Sequence, residues 1–410
     1  MARISIPVAF AAALAVAATT AGSAFAAPVY PPDVPLSTVP TPKGIGRPGY
    51  LEPIADPSLD AAITRISDRR AFGQRRADSI RHAYAKNQPW NADGSLLMLD
   101  YHYPAPLLDG ETYELLGEVH QPSEAIWLNA DPAHLVGMTG RTKLVEWDAV
   151  ADRRSAVLHR FRGYDEVELG SGEGNLSNDD RFAALLGARG KAVDVLVYDL
   201  EADEVVGRRK LEHASIGDGG ATINNVAMSQ SGERVLVEFN RRGRGGRRGI
   251  VSYDRELRDP VPLSGNGGSH YDACVEGGGN EVAVAQADRS SALVSVDLED
   301  GTRTRLLPAA KMGWPIHISC RNVERPGWVY VSEFADRGAP RLANRDSLLA
   351  VSLDGSGTVE RFGHEFRSNR SAYVREAHAV PSRDGTRVLW ASDWQRPRGP
   401  VYAYVAEAGD

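Results

Sequence analysis

Cysteine is nearly missing from this chain: Cys274 and Cys320 are the two among 410 residues. That excludes a disulfide-dense miniature scaffold and any cysteine-rich zinc module. Long apolar runs are missing too, except at the start. There Met1-Ala2-Arg3 leads into the uncharged stretch Ile4 to Ala21 and then Ala24-Phe25-Ala26. This is the pattern of a secretory signal peptide cut after Ala26, which implies an exported, periplasmic or secreted protein. A retained membrane anchor is the alternative, but the run is short and only mildly hydrophobic for that role. Strong charge of either sign is also lacking. The 47 basic and 54 acidic side chains leave a formal charge of −7, or −8 without Arg3. Such mild acidity gives no general attraction to nucleic acid or anionic lipid. The chain has no Gly-x-Ser-x-Gly elbow, no His-Glu-x-x-His pair and no EF-hand loop. Its glycine-rich stretch, residues 170–175, is not followed by a P-loop lysine. Serine hydrolase, metalloprotease and nucleotide-binding readings therefore lack support.

What the sequence does contain is a repeat. Pro28 to Pro53 is proline-rich and reads as an extended lead-in. Beyond it, a strand, a tight Gly/Asp turn and a second strand recur. Copies occur around Gly385 in "VPSRDGTRVLW", Gly232 in "AMSQSGERVLV", Asp180 in "NLSNDDRF" and Gly94 in "PWNADGSLL". Looser copies begin near Glu124, Ser269 and Ile316. Each is followed by a β-rich segment with an acidic turn, such as "VLVYDLEADEVVG" or "ALVSVDLEDGTRT". Gly and Asp suit tight hairpins because they tolerate positive φ or bond their own backbone. Seven such units of roughly 40 to 60 residues, with hardly any amphipathic helical pattern, predict an all-β, seven-bladed β-propeller of four-stranded antiparallel blades. The last unit stops at its third strand, "GPVYAYVAE". The spare strand "AAITRISD", residues 61–68, is the candidate to complete it and close the ring. The expected organisation is residues 1–26 as leader, 27–60 as extension and 61–410 as propeller, in a monomeric protein.

Within this frame the histidines align. His270, His317 and His378 each fall in the first, channel-lining strand of units five, six and seven, with His82 slightly earlier in unit one. Units three and four carry Asn175 and Asn224-Asn225 near the same place. A lone strand histidine is ordinarily a hydrogen-bonded structural residue. Three at matched positions point instead to a metal site, since converging imidazoles suit a borderline divalent cation. Mn²⁺ is the first expectation, with Zn²⁺ or Ca²⁺ as alternatives. Asn225 and Glu376 are candidates for an oxygen ligand.

The turns and the N-terminal strand look like Tol-associated periplasmic propellers. The channel histidines more specifically resemble oligogalacturonate lyase and other propeller-type polysaccharide lyases. The resemblance covers roughly residues 61–410 at the level of architecture, and its motifs are histidine positions rather than an unbroken signature. It implies a divalent metal held by histidines of neighbouring blades and a glutamine, for which no clear counterpart is found. It also implies β-elimination on an anionic, uronic-acid-containing glycan. That reaction needs a neutralised carboxylate, a base for the C5 proton and an acid for the leaving oxygen. A cation at His270, His317 and His378, or Arg375 beside them, answers the first need; His82 or Tyr271 answers the others. Asn175, Asn225, Trp314 and Glu376 are candidate substrate contacts, Trp314 as a stacking surface. "RRGRGGRRG", residues 241–249, is a solvated hairpin loop or a collector of an anionic polymer. The competing expectation is a non-catalytic exported propeller that binds a glycan or protein at the same rim. Cys274 and Cys320 follow their units' histidines at similar offsets, so a disulfide and two buried thiols both remain open.

Overall fold

The computed structural model describes residues 30, 42, 44–59, 61–217, 222–240, 249–264, 270–287, 292–308, 316–333, 346–368 and 372–408. The expected leader, Trp314 and residues 241–248 lie outside them. Seven sheets form among the described residues, antiparallel except where Ser79–Ile80 runs parallel to Val401–Ala408, and they follow one another in chain order as blades. Blades two to six each have four strands in sequence order, for example Phe182–Arg189 paired with Ala192–Asp199 in blade three. Blade one has three strands, and its inner edge is reduced to a bridge between Trp90 and Leu97. Among the described residues no helix is long and apolar enough to cross a membrane.

Burial follows from position in the blade. Ala192–Asp199 is buried at every residue because neighbouring blades cover both of its faces. Arg153–Arg160, the outermost strand of blade two, is mostly exposed and correspondingly polar. The core is therefore a series of inter-blade layers; one holds Cys274, Val284, Ile318, Val329 and Val351 from blades five and six. The tight turns need their glycines. Gly232 has φ +78°, and a Cβ there would lie 2.8 Å from Phe182.

The ring closes as the spare strand predicts. Ala61–Arg65 pairs antiparallel with Val401–Ala408, in register from Ala61 opposite Ala408 to Arg65 opposite Tyr404. Ile63 is fully buried in this seam. The lead-in contributes more than a surface tether. Ile54–Ala55 adds a further strand outside Ala61–Arg65, and Asp56 Oδ2 lies 2.7 Å from His364 Nδ1 of blade six, both side chains inaccessible to solvent. Trp394 Nε1 donates to the Ile45 carbonyl and Arg65 Nε to that of Pro48.

Cys274 and Cys320 are disulfide-bonded, with Cα atoms 5.2 Å apart. Beside the bond, buried Asp272 of blade five forms an ion pair with Arg321 at 3.0 Å and accepts the Cys320 N–H at 2.7 Å. Blades five and six are thus joined by covalent, ionic and backbone links at one level.

Three outcomes are expected. Deletion through Asp68 should abolish cooperative thermal unfolding, whereas deletion through Lys43 should leave it in place; Ile63→Ala in the full chain should cost about 2–5 kcal/mol in a denaturant titration. Replacing both cysteines by alanine should cost about 2–4 kcal/mol, since the bond spans 46 residues. A double variant as stable as the parent would mean the unfolded chain is already restricted there.

Candidate functional site

The blades present the starts of their inner strands at one end of the channel, and polar side chains gather there. His317 lies within Ile316–Ser319 as expected. His270 and His378 instead stand just ahead of their strands, Tyr271–Val275 and Val380–Pro381, and His378 has a left-handed φ of +48°. Glu376 follows a single 3-10 turn, Tyr373–Arg375, and its N–H bonds the Tyr373 carbonyl. That turn aims the carboxylate at two blades at once. Glu376 Oε2 lies 3.0 Å from His317 Nε2 and 3.2 Å from His378 Nε2.

His317, Glu376 and His378 each offer one ligand atom within 4.8 Å of the others. His270 is adjacent, its ring centroid 4.6 Å from that of His317, but it stands outside this cluster. Its Nδ1 lies 2.8 Å from the Tyr84 hydroxyl. The Tyr84 ring meets His317 and His378 edge-on at 5.5 and 5.0 Å. Burial pushes His317 and His378 well below the usual imidazole range, with Arg81 adding to the effect on both. Burial, then His317, takes His270 down to about 3. Burial and then Glu173 push Tyr84 well above its ordinary value. The rings are neutral donors and acceptors under ordinary conditions.

The other expected residues are engaged as follows. His82 is fully buried, with Nε2 2.5 Å from the His378 carbonyl, so it donates there; burial and then Arg81 hold it at about 3. Tyr271 donates to Asn225 Oδ1 at 2.7 Å, and Asn225 Nδ2 donates to Glu238 at 2.8 Å and Glu173 at 3.2 Å. Arg375 turns away from the histidines to Asp393, at 2.7 Å, and to the Gly399 carbonyl. Asn175, expected at the mouth, is 6% exposed. The reason is the glycine pair around it: Gly170 has φ +79°, and a side chain there would strike the Gly174 backbone, so the loop folds tightly inward. Glu173 in that loop forms an ion pair with buried Lys86 at 2.8 Å, and Lys86 sits 3.9 Å above the Tyr271 ring.

Arg81, Tyr84 and Lys86 are the site residues that sequence reasoning missed. They lie with His82 in "IRHAYAK", a stretch with neither strand nor helix period; its density of polar and aromatic groups beside a histidine was the available signal. Arg81 is the most informative. It is inaccessible to solvent, stacks 4.2 Å from the Tyr101 centroid and lies 5.6 Å from that of Tyr373. Its Nη1 donates to the carbonyls of His82 and Ala83 and to His378 Nδ1, at 3.2 to 3.3 Å. Its Nε and Nη2 make no hydrogen bond of good geometry, and among the described residues no carboxylate lies in ion-pair contact with it, although Tyr101 and Asp100 act on it electrostatically. A buried guanidinium with no carboxylate in contact is costly, and the carboxylate that acts on it is that of the neighbouring Asp100.

No family model matches the sequence, and no curated protein does. Solved structures do match. One is an oligogalacturonate lyase in complex with manganese, at 15% identity and a TM-score of 0.62, covering 88% of this chain and 96% of the other. Another is the oligogalacturonate lyase of Vibrio parahaemolyticus, at 12% identity and a TM-score of 0.61, covering 87% and 96%. The chain shares its fold with oligogalacturonate lyase.

The donors present fit a divalent cation: two imidazoles and a carboxylate are a set that borderline metals accept. The fit carries one condition. A guanidinium only donates, so His378 Nδ1 accepts from Arg81 and the neutral ring keeps its proton on Nε2. To ligate through Nε2, the ring must move that proton to Nδ1, which can then no longer accept from Arg81. The Arg81 contact and ligation by His378 therefore exclude one another. Arg81→Met should strengthen Mn²⁺ binding by roughly ten- to a hundredfold in calorimetric titration, the weight of one hydrogen bond to a charged group. His317→Ala should abolish binding in either background. Unchanged affinity in Arg81→Met would show that the two do not compete.

Proposed function

We propose that this chain is an exported polysaccharide lyase that cleaves a uronic-acid-containing glycan by β-elimination. The observation that carries the reading is the buried, unpaired Arg81 set beside the His317, Glu376 and His378 cluster at the channel mouth. The shared fold with oligogalacturonate lyase is consistent with it.

Elimination begins with the uronate carboxylate, whose charge must be offset before the C5 proton becomes acidic enough to remove. Arg81 takes that role in place of Arg375, which is held by Asp393. His317, Glu376 and His378 would hold a divalent cation, Mn²⁺ foremost, and such a cation would polarise the same carboxylate when bound. The Tyr84–His270 couple handles the proton. It receives the proton from C5 and returns it to the departing glycosidic oxygen, so the C4–O bond breaks as the C4–C5 double bond forms and no net proton is gained or lost. Tyr373, half-exposed and edge-on to His378 at 4.7 Å, offers a face for the sugar ring.

The test is ultraviolet absorbance of the unsaturated product when the chain, supplied with Mn²⁺, is incubated with a panel of uronate oligosaccharides. Activity is expected, and Tyr84→Phe should lower kcat by roughly 10²- to 10⁴-fold, the usual weight of a proton-transfer group, with the melting temperature retained. No unsaturated product from any uronate glycan would overturn the reading in favour of a glycan- or protein-binding propeller.

A further inference from the structure

A second cavity adjoins this site. It has a volume of about 480 Å³ and opens between blades one and two, against the Gly172 turn of blade three. That is within the range of small-ligand pockets, roughly 300–1,000 Å³. Its walls connect to the site directly. Tyr101 lines it and packs on Arg81, which reaches His378. Asp100 lines it and accepts the Ala83 N–H at 2.7 Å, fixing the segment that carries His82 and Tyr84.

The lining has the chemistry of a sugar site. Tyr101 and Tyr103 are exposed aromatic faces at 39% and 70%, and the Asn87 side-chain oxygen is buried with no hydrogen-bond partner. A sugar hydroxyl would satisfy that acceptor. The charge is one-sided: Asp100 and Glu124 line the cavity, and neither lysine nor arginine does.

We infer that this cavity is a subsite for a non-anionic sugar, a neutral hexose or a hexosamine, next to the uronate that is cleaved. The inference rests on the lyase reading and narrows it: the substrate class is a glycan in which uronates alternate with uncharged or amino sugars, not a homopolymer of uronates. A second uronate would set its carboxylate against Asp100 and Glu124, and the cavity lining itself offers no cation, Arg81 lying behind Tyr101. Burial raises Asp100 to about 6 and Glu124 to about 7, and lowers His102, so at pH 8 the cavity is anionic.

The test compares kcat/KM at pH 8, with Mn²⁺, for a homo-oligouronate and a uronate–hexosamine oligosaccharide of equal length. The alternating substrate should be preferred tenfold or more. Ser123→Lys puts a cation on the cavity wall at an exposed residue, so folding should be unaffected. It should shift the preference toward the homo-oligouronate by tenfold or more. Equal or better cleavage of the homo-oligouronate by the parent, or a preference that Ser123→Lys leaves unmoved, overturns the subsite while leaving the elimination reading intact. If neither substrate is cleaved the elimination reading fails, and the subsite is then judged by calorimetric titration. An uncharged disaccharide that binds tighter than a diuronate supports it, and the reverse order overturns it.

Discussion

Five antiparallel residue pairs between Ala61–Arg65 and Val401–Ala408 hold the ring shut. Every other feature of the site depends on them. A blade buries its two faces only against two neighbours, so an open ring would leave one face and one strand edge uncovered. Closure also sets the geometry of the centre. His270 and His378 are far apart in sequence, yet each lies within ring contact of His317 because the blades that carry them are fixed in sequence order around one axis. The buried Asp56–His364 pair extends the clasp outward, from the lead-in to the outer strand of blade six.

A closed β-ring concentrates backbone and side-chain polarity at its axis, where water is scarce and each unmet group is costly. Several of the channel's polar groups are satisfied by long amides and ion pairs. Gln88 Nε2 donates to the carbonyls of Arg321 and Pro381, and Gln230 Nε2 to those of Ala273 and Cys320. Asp272 and Arg321 neutralise each other. Against that background Arg81 is the departure from the rule: a full charge, wholly buried, with two donor nitrogens unused. Stability alone does not favour such a group, since an apolar side chain of similar size would serve better.

The architecture was legible because propeller turns are local. Gly232, Gly385 and Asp180 mark hairpins by their own backbone preferences, and the count of units and the spare strand followed from them. The cysteines were legible as a pair at matched offsets, though their bonding needed the blade spacing. The site was legible only in part. His317 sits in the strand where alignment puts it, and His378 and Glu376, which stand ahead of theirs, still meet it. Register in a strand fixes where a side chain starts but not what it reaches. Arg375 neighbours Glu376 in sequence, yet Asp393, which joins blade seven's later strands, captures it. Tyr84, not a metal-ligating neighbour, occupies the His270 Nδ1. Arg81, Tyr84 and Lys86 were hidden for a different reason. Blade one has given up most of its inner strand, so the segment that crosses the channel mouth has no period for a pattern to reveal.

That loss of regular structure in blade one is what brings a guanidinium and an imidazole into competition. His378 has one lone pair, and two kinds of positive charge have a claim on it. With its Nδ1 accepting from Arg81, the ring points an N–H at Glu376 and holds the guanidinium still. With its proton on Nδ1, the same ring offers Nε2 to a cation, and Arg81 is left with three nitrogens lacking a side-chain acceptor. A carboxylate is the group best matched to that fork of donors. On the lyase reading, a protein with the cation bound is therefore the one readiest to take the uronate. The left-handed backbone at His378, φ +48°, is consistent with a residue placed for this double role rather than for strand geometry.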